Sequence, residues 1–175
     1  MKRQAYTEFQ QVIPNLYIGG QISSLNLTKL NALNIKRVLR VNGITQNMLS
    51  YDKHGIDHRI LDIDDMPDFQ IDKFFDESNS FIEGAIAKGQ GCLVVCTAGI
   101  SRSAAIVMSY LIKERKMPYQ MAYTHVKQAR YFIQPNPGFV RILQNYAAQH
   151  SCELCDLEKK THWFDQYAKK RFNGR

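Results

Sequence analysis

The apolar positions change their period several times along the chain, and each change marks an element. Residues 12–18, Val-Ile-Pro-Asn-Leu-Tyr-Ile, form an apolar stretch that predicts one short strand ending at Gly19-Gly20. Leu27, Leu30 and Leu33 recur at helical spacing, so a helix is expected there, capped by Ser23 or Ser24. Ile35 to Val41 predicts a second strand, stopped at Asn42-Gly43, and His58 to Ile63 a third. Phe74, Phe75, Ser78, Phe81, Ile82, Ala85 and Ile86 lie on one helical face, which predicts an amphipathic helix started by Asp68 or Asp72 and ended by Gly89 and Gly91. Cys92-Leu-Val-Val-Cys96 is apolar at every position, as a central strand covered on both faces must be. Ser103 to Lys113 is apolar nearly all round, the mark of a helix buried in the middle of a fold. Two more helices follow. One has Pro118 in its first turn and carries Met121, Ala122, His125, Val126 and Ala129, with His125 expected in the core. The other is capped by Asn136-Pro137, with Phe139, Ile142, Leu143 and Tyr146 inward.

This alternation predicts an α/β domain with a central, mostly parallel twisted sheet flanked by helices. The chain has 175 residues, enough for one such domain, with residues 1–10 as a lead and residues 150–175 as a short C-terminal extension of different character. No stretch approaches the roughly 18 apolar residues of a membrane span, and Met1 to Gln11 is polar, without a signal-peptide core. Four cysteines are too few for a disulfide scaffold, so a reducing, cytoplasmic setting is expected.

Charge sharpens this. The net +7 is uneven: residues 1–40 carry +5, residues 41–90 carry −6, residues 91–150 carry +6 and residues 151–175 carry +2. A basic half suits an anionic partner, either nucleic acid or a small group such as phosphate. Nucleic-acid binding would call for Lys and Arg interleaved with exposed aromatics, whereas the basic residues here are scattered among core helices.

The segment between the central strand and the buried helix, Cys96-Thr97-Ala98-Gly99-Ile100-Ser101-Arg102-Ser103, carries the chemistry. A strand–loop–helix of this kind aims successive N–H groups into one concavity at a helix N-terminus, where a tetrahedral oxyanion fits. Gly99 lets the backbone turn there. Arg102 can offer two parallel hydrogen bonds to phosphate oxygens. Cys96, at the base of this positive cup, would be favoured as a thiolate and so become a nucleophile aimed at phosphorus. Ser103 can donate to the sulfur when it leaves. The competing reading, a buried structural cysteine, suits Cys92 but leaves the spacing of Gly99, Arg102 and Ser103 unexplained.

The run from Leu93 to Leu111, with Cys-Thr-Ala-Gly-Ile-Ser-Arg-Ser at its heart, resembles the signature of the cysteine-based protein tyrosine phosphatases, and its Ala-Gly-Ile-Ser-Arg-Ser form resembles the dual-specificity branch. Ile13-Pro-Asn-Leu-Tyr-Ile-Gly, Leu33-Asn-Ile-Lys-Arg-Val-Leu and Pro135-Asn-Pro-Gly-Phe extend the likeness. The resemblance implies the cysteine-phosphatase fold over a phosphatase domain at residues 11–149. It also implies an atypical dual-specificity enzyme that acts on phosphorylated proteins without a cofactor or metal. Cys96 would be the nucleophile, Arg102 would bind phosphate and the transition state, and Thr97, Ala98, Gly99, Ile100 and Ser101 would line the phosphate site.

The family also uses a loop aspartate to protonate the leaving oxygen, because a Ser or Thr alkoxide leaves poorly. Asp65, six residues before Ile71 and ten before Phe75, falls at that place, with Asp64 and Asp68 as rivals. One departure stands out. The family usually places a histidine directly before the nucleophile, and this chain has Val95. Two readings follow, a phosphatase or a phosphoprotein-binding pseudophosphatase. A rhodanese-like sulfur transferase would also place a cysteine in an anion-binding loop, but leaves Asp65 and Ser103 without a task.

In the extension, Cys152 and Cys155 with His150 or His162 have the residue types of a zinc site; an exposed thiol pair or a reversible disulfide are the alternatives. Lys169-Lys-Arg171 reads as a solvated end or as a nuclear address.

Overall fold

The structure is a computed structural model and describes residues 7–42 and 51–150. Five strands, β1 (Phe9–Ile13), β2 (Leu16–Gly20), β3 (Ile35–Val41), β4 (Asp57–Leu61) and β5 (Gly91–Cys96), form one sheet in the order β1-β2-β5-β3-β4. The pairs β2/β5, β5/β3 and β3/β4 are parallel, and β1/β2 is antiparallel. The sheet is therefore mostly parallel, as expected. Among the described residues, these α-helices accompany it: α1 (Leu27–Ala32), α2 (Phe75–Ile86), α3 (Arg102–Glu114), α4 (Tyr119–Ala129) and α5 (Pro137–His150).

The central position of β5 follows from its sequence. All six residues are buried, and alternation sends them to two separate cores. Cys92, Val94 and Cys96 join the larger core, under α2, α3, α4 and α5. Leu93 and Val95 join the smaller one, with Leu30 of α1, Val38 and Tyr51. Helix α3 packs against α2, α4 and α5, so ten of its residues are buried and its apolar surface extends nearly all round.

Several boundaries differ from the sequence expectation, each for a local reason. Residues 12–18 are not one strand. Pro14 and Asn15 make a two-residue turn, with Asn15 at φ 66°, so the apolar stretch folds into the β1/β2 hairpin. Neither Ser23 nor Ser24 caps α1. Their hydroxyls donate back to the Gly20 and Gln21 carbonyls, and the Asn26 side chain accepts from Lys29 N at 3.0 Å instead. Neither Asp68 nor Asp72 caps α2, which is entered through a 3₁₀ turn at Ile71–Phe74 with no side-chain cap. Pro118 stands just before α4 rather than within its first turn. The third strand begins one residue early and stops at Leu61. Asn136 does cap α5, its Oδ1 accepting from Phe139 N at 3.0 Å. His125 is a core residue, its Nε2 2.8 Å from the Val12 carbonyl.

Gly43 and the extension with Cys152, Cys155, His162 and the Lys169-Lys-Arg171 run lie outside the described residues. His150 packs its ring on Tyr146, with centroids 4.2 Å apart. Among the described residues, no three His, Cys, Asp or Glu side chains gather as a metal site, and no helix is long and apolar enough to cross a membrane.

Candidate active site

The parallel strands leave their C-terminal ends on one edge, and the Cys96–Ser103 loop rises there from β5 into α3. What shapes the loop is where its carbonyls go. Thr97 O accepts from Gln21 N at 3.2 Å and Ile100 O from Gln134 N at 2.9 Å. Between them, Ala98 O accepts from Arg130 Nη2 at 3.0 Å and Gly99 O from Arg130 Nε at 2.7 Å. No peptide bond is cis among the described residues, and a trans peptide points its N–H opposite to its C=O. Four successive carbonyls held outward therefore turn the N–H groups of Ala98, Gly99, Ile100 and Ser101 toward the other side. This is the nest expected from the sequence, now with its cause. The turn depends on Gly99, which sits at φ 72°; a Cβ there would lie 2.5 Å from the Gly19 carbonyl.

Cys96 is 2% exposed at the base of this nest. Its sulfur receives Gly99 N–H at 3.3 Å and lies 3.3 Å from the Ser103 hydroxyl. Cys92, four residues earlier on the same face, is a different kind of thiol. Burial pushes its pKa well up, which keeps it a protonated core residue.

Arg102 opens α3 and turns back over the loop. Nη1 donates to Ile63 O at 3.1 Å and Nη2 to Thr97 Oγ1 at 3.0 Å, which fixes the guanidinium plane. Its buried Nε has no hydrogen-bond partner among the described residues. Three of the five guanidinium N–H groups thus remain for an oxyanion, and the orphaned Nε is a donor that such an anion would satisfy.

Asp65 reaches the same rim from the loop after β4. Its Oδ1 accepts from Ser101 Oγ at 2.6 Å and from Asn136 Nδ2 at 2.8 Å, and its Oδ2 lies 3.8 Å from Arg102 Nε. Ser101 precedes α3 yet makes no side-chain cap bond, because its hydroxyl donates to Asp65 and accepts from Asn136 N at 3.0 Å. Asp64 and Asp68 instead line a neighbouring groove of about 470 Å³, beside Phe69 and Phe74. The structure thus brings Cys96, Arg102, Ser103 and Asp65 together, and leaves the two rival aspartates outside.

Three contributors are not evident from residue types. Asn136 is legible only as a helix cap, yet its amide nitrogen also holds Asp65. Arg130 reads in sequence as one more scattered cation, and is 1% exposed beneath the loop. Gly138, in the first turn of α5, lets the loop that carries Asp65 approach: a Cβ there would lie 1.8 Å from Pro67 O. Gly138→Ala must displace Pro67, two residues from Asp65. It is expected to lower kcat for an alkyl phosphate at least about tenfold, and p-nitrophenyl phosphate turnover much less. Steady-state kinetics on the two substrates checks this; equal losses on both would place the effect elsewhere. Val95 lies in the apolar cluster on the face opposite Cys96, fully buried, so no polar side chain from that position reaches the loop.

The description "Dual specificity phosphatase, catalytic domain" belongs to the family model that matches residues 16–149. The chain is 37% identical over 144 residues to MAP kinase phosphatase with leucine-rich repeats protein 3 of Dictyostelium discoideum, covering 81% of this chain but only 16% of that protein. It is 36% identical over 152 residues to the serine/threonine/tyrosine-interacting protein of Mus musculus, covering 84% of this chain and 68% of that one. The crystal structure of the human tyrosine phosphatase-like serine/threonine/tyrosine-interacting protein superposes with a TM-score of 0.74 at 33% identity, over 82% of this chain and 97% of that chain.

Proposed function

Because the chain belongs to the dual-specificity phosphatase family, we propose that it hydrolyses phosphotyrosine, phosphoserine and phosphothreonine on proteins through a phosphocysteine intermediate. The observation that carries this reading is the Cys96 sulfur at the base of a nest whose four carbonyls are all bonded outward.

The proposed steps are these. The phosphoryl oxygens take the loop N–H groups and the Arg102 donors. The Cys96 thiolate attacks phosphorus, and the P–O bond to the substrate side chain breaks as the P–S bond forms. Asp65 gives its proton to the leaving oxygen. Oδ2 is the oxygen that does so, because Oδ1 is occupied by Ser101 and Asn136. Asp65, now ionised, takes a proton from water as that water attacks phosphorus. The P–S bond breaks, inorganic phosphate forms, and Ser103 donates its hydroxyl to the departing thiolate across the 3.3 Å contact. The substrate class rests on the loop's composition, since Thr97, Ala98 and Ile100 bring no cation beyond Arg102.

Ser103→Ala is expected to slow the second step about 10- to 100-fold while leaving the first step near its normal rate. A stopped-flow burst of p-nitrophenol, equal to one per active site and absent in wild type, is the signature. A variant slowed without a burst would remove Ser103 from the second step.

A second reading is a phosphoprotein binder without turnover. Val95 motivates it, since this position gives the loop no polar support. So do relatives that are named as interacting proteins. Such a protein would hold a phosphopeptide and release no phosphate from it.

A further inference from the structure

Arg130 follows α4 and is among the largest fully buried side chains of the protein, 1% exposed. An ion is retained in such a place only where hydrogen bonds replace its water. Its fork is spent on three backbone carbonyls and one side chain. Nε meets Gly99 O at 2.7 Å, Nη2 meets Ala98 O at 3.0 Å, and Nη1 meets Glu8 O at 3.0 Å together with the Gln10 side-chain carbonyl. Phe132 lies under the guanidinium plane, 4.2 Å from ring centroid to Cζ.

We propose that Arg130 is the positioning residue of the oxyanion cup, orienting two successive loop amides without touching the substrate. This rests on the reading of the loop as a phosphate site. The peptide between Ala98 and Gly99 shows how it works. Its carbonyl is bonded to Arg130 and its N–H, on the opposite side, is bonded to Cys96 Sγ at 3.3 Å. Fixing the first fixes the second. The next peptide repeats the arrangement, so Gly99 O on Nε aims the Ile100 N–H. Charge on the guanidinium also polarises both amides and strengthens them as donors toward an anion. A planar fork spans two neighbouring carbonyls in a fixed geometry, whereas a lysine offers a rotatable point charge. The brace comes from Arg130, just after α4, anchored on the chain at the start of β1, rather than from position 95, where the Val95 side chain has no polar atom to offer.

The test uses the full chain, with inorganic tungstate as the tetrahedral probe and p-nitrophenyl phosphate as substrate. Arg130→Met, confirmed as native by circular dichroism at the assay temperature, is expected to lose about 100-fold in kcat/KM and about tenfold in tungstate affinity. Arg130→Lys keeps the charge and most of the packing, and is expected to remain at least about fivefold below wild type in both measurements. A merely structural role predicts a lower Tm with unchanged affinity in the folded protein. Tungstate affinity within about twofold of wild type in folded Arg130→Met would therefore overturn the proposal. Should Arg130→Met fail to fold, Arg130→Lys decides alone, and wild-type values there overturn it. A wild type that binds tungstate but hydrolyses nothing would sink the phosphatase reading, while the binding measurements would still judge Arg130.

Discussion

Cys96→Ser is expected to abolish turnover, by at least about 10⁴-fold, and to leave tungstate affinity within about threefold of wild type. The two halves of this result have different physical origins. Serine replaces the sulfur with a hydroxyl that no side chain in the site is placed to deprotonate. The Ser103 hydroxyl lies 3.3 Å from the sulfur and carries no negative charge to take a proton, and Asp65 is engaged by Ser101 and Asn136. The cup does not need the sulfur for its shape. Its carbonyls are held by Gln21, Arg130 and Gln134 rather than by the sulfur. Anion binding should accordingly survive where chemistry does not. Titration with tungstate beside a phosphate-release assay reads both. A variant that lost affinity and rate together would mean that Cys96 shapes the site instead of reacting in it.

The second large effect belongs to Asp65, and it depends on the leaving group. Asp65→Asn keeps an oxygen to accept from Ser101 and Asn136, so the loop keeps its anchor. It removes the proton. Hydrolysis of a phosphothreonine peptide, whose alkoxide leaves poorly, is expected to fall about 10²- to 10³-fold, and that of p-nitrophenyl phosphate, whose phenolate leaves unaided, about tenfold or less. Asp64→Asn and Asp68→Asn, on side chains that line the neighbouring groove, should leave both rates within about twofold. The same leaving-group pattern in either of those variants, with Asp65→Asn unaffected, would move the acid.

Much of this site is legible in residue types alone. A continuously apolar strand, a loop with Gly99 and Arg102, and a helix apolar nearly all round are plain in the residue pattern. The structure has β5, α3 and β3 where those patterns put them. Less is legible where a single residue does two things. Pro14-Asn15 sits inside an apolar stretch, so its turn is hidden unless Asn15 is known to accept a left-handed backbone. Ser23 and Ser24 have the side chains of caps, but their hydroxyls serve the turn behind them. Asn136 caps α5 through its oxygen and holds Asp65 through its nitrogen, and sequence reveals only the first task. Arg130 is the hardest to see. Its partners include the Glu8 carbonyl, just before β1, and two carbonyls of the Cys96–Ser103 loop, distant in sequence, and a backbone acceptor leaves no signature in residue type. The excess positive charge of residues 91–150 is consequently not all surface charge, since Arg102 and Arg130 both face the loop.

Hydrolysis through Cys96 is tested most simply by phosphate release from matched phosphotyrosine, phosphothreonine and phosphoserine peptides, wild type beside Cys96→Ser. Wild type is expected to release phosphate from all three, and the variant none above background. Wild-type release no faster than that of Cys96→Ser, from protein that binds tungstate normally, would refute the phosphatase mechanism.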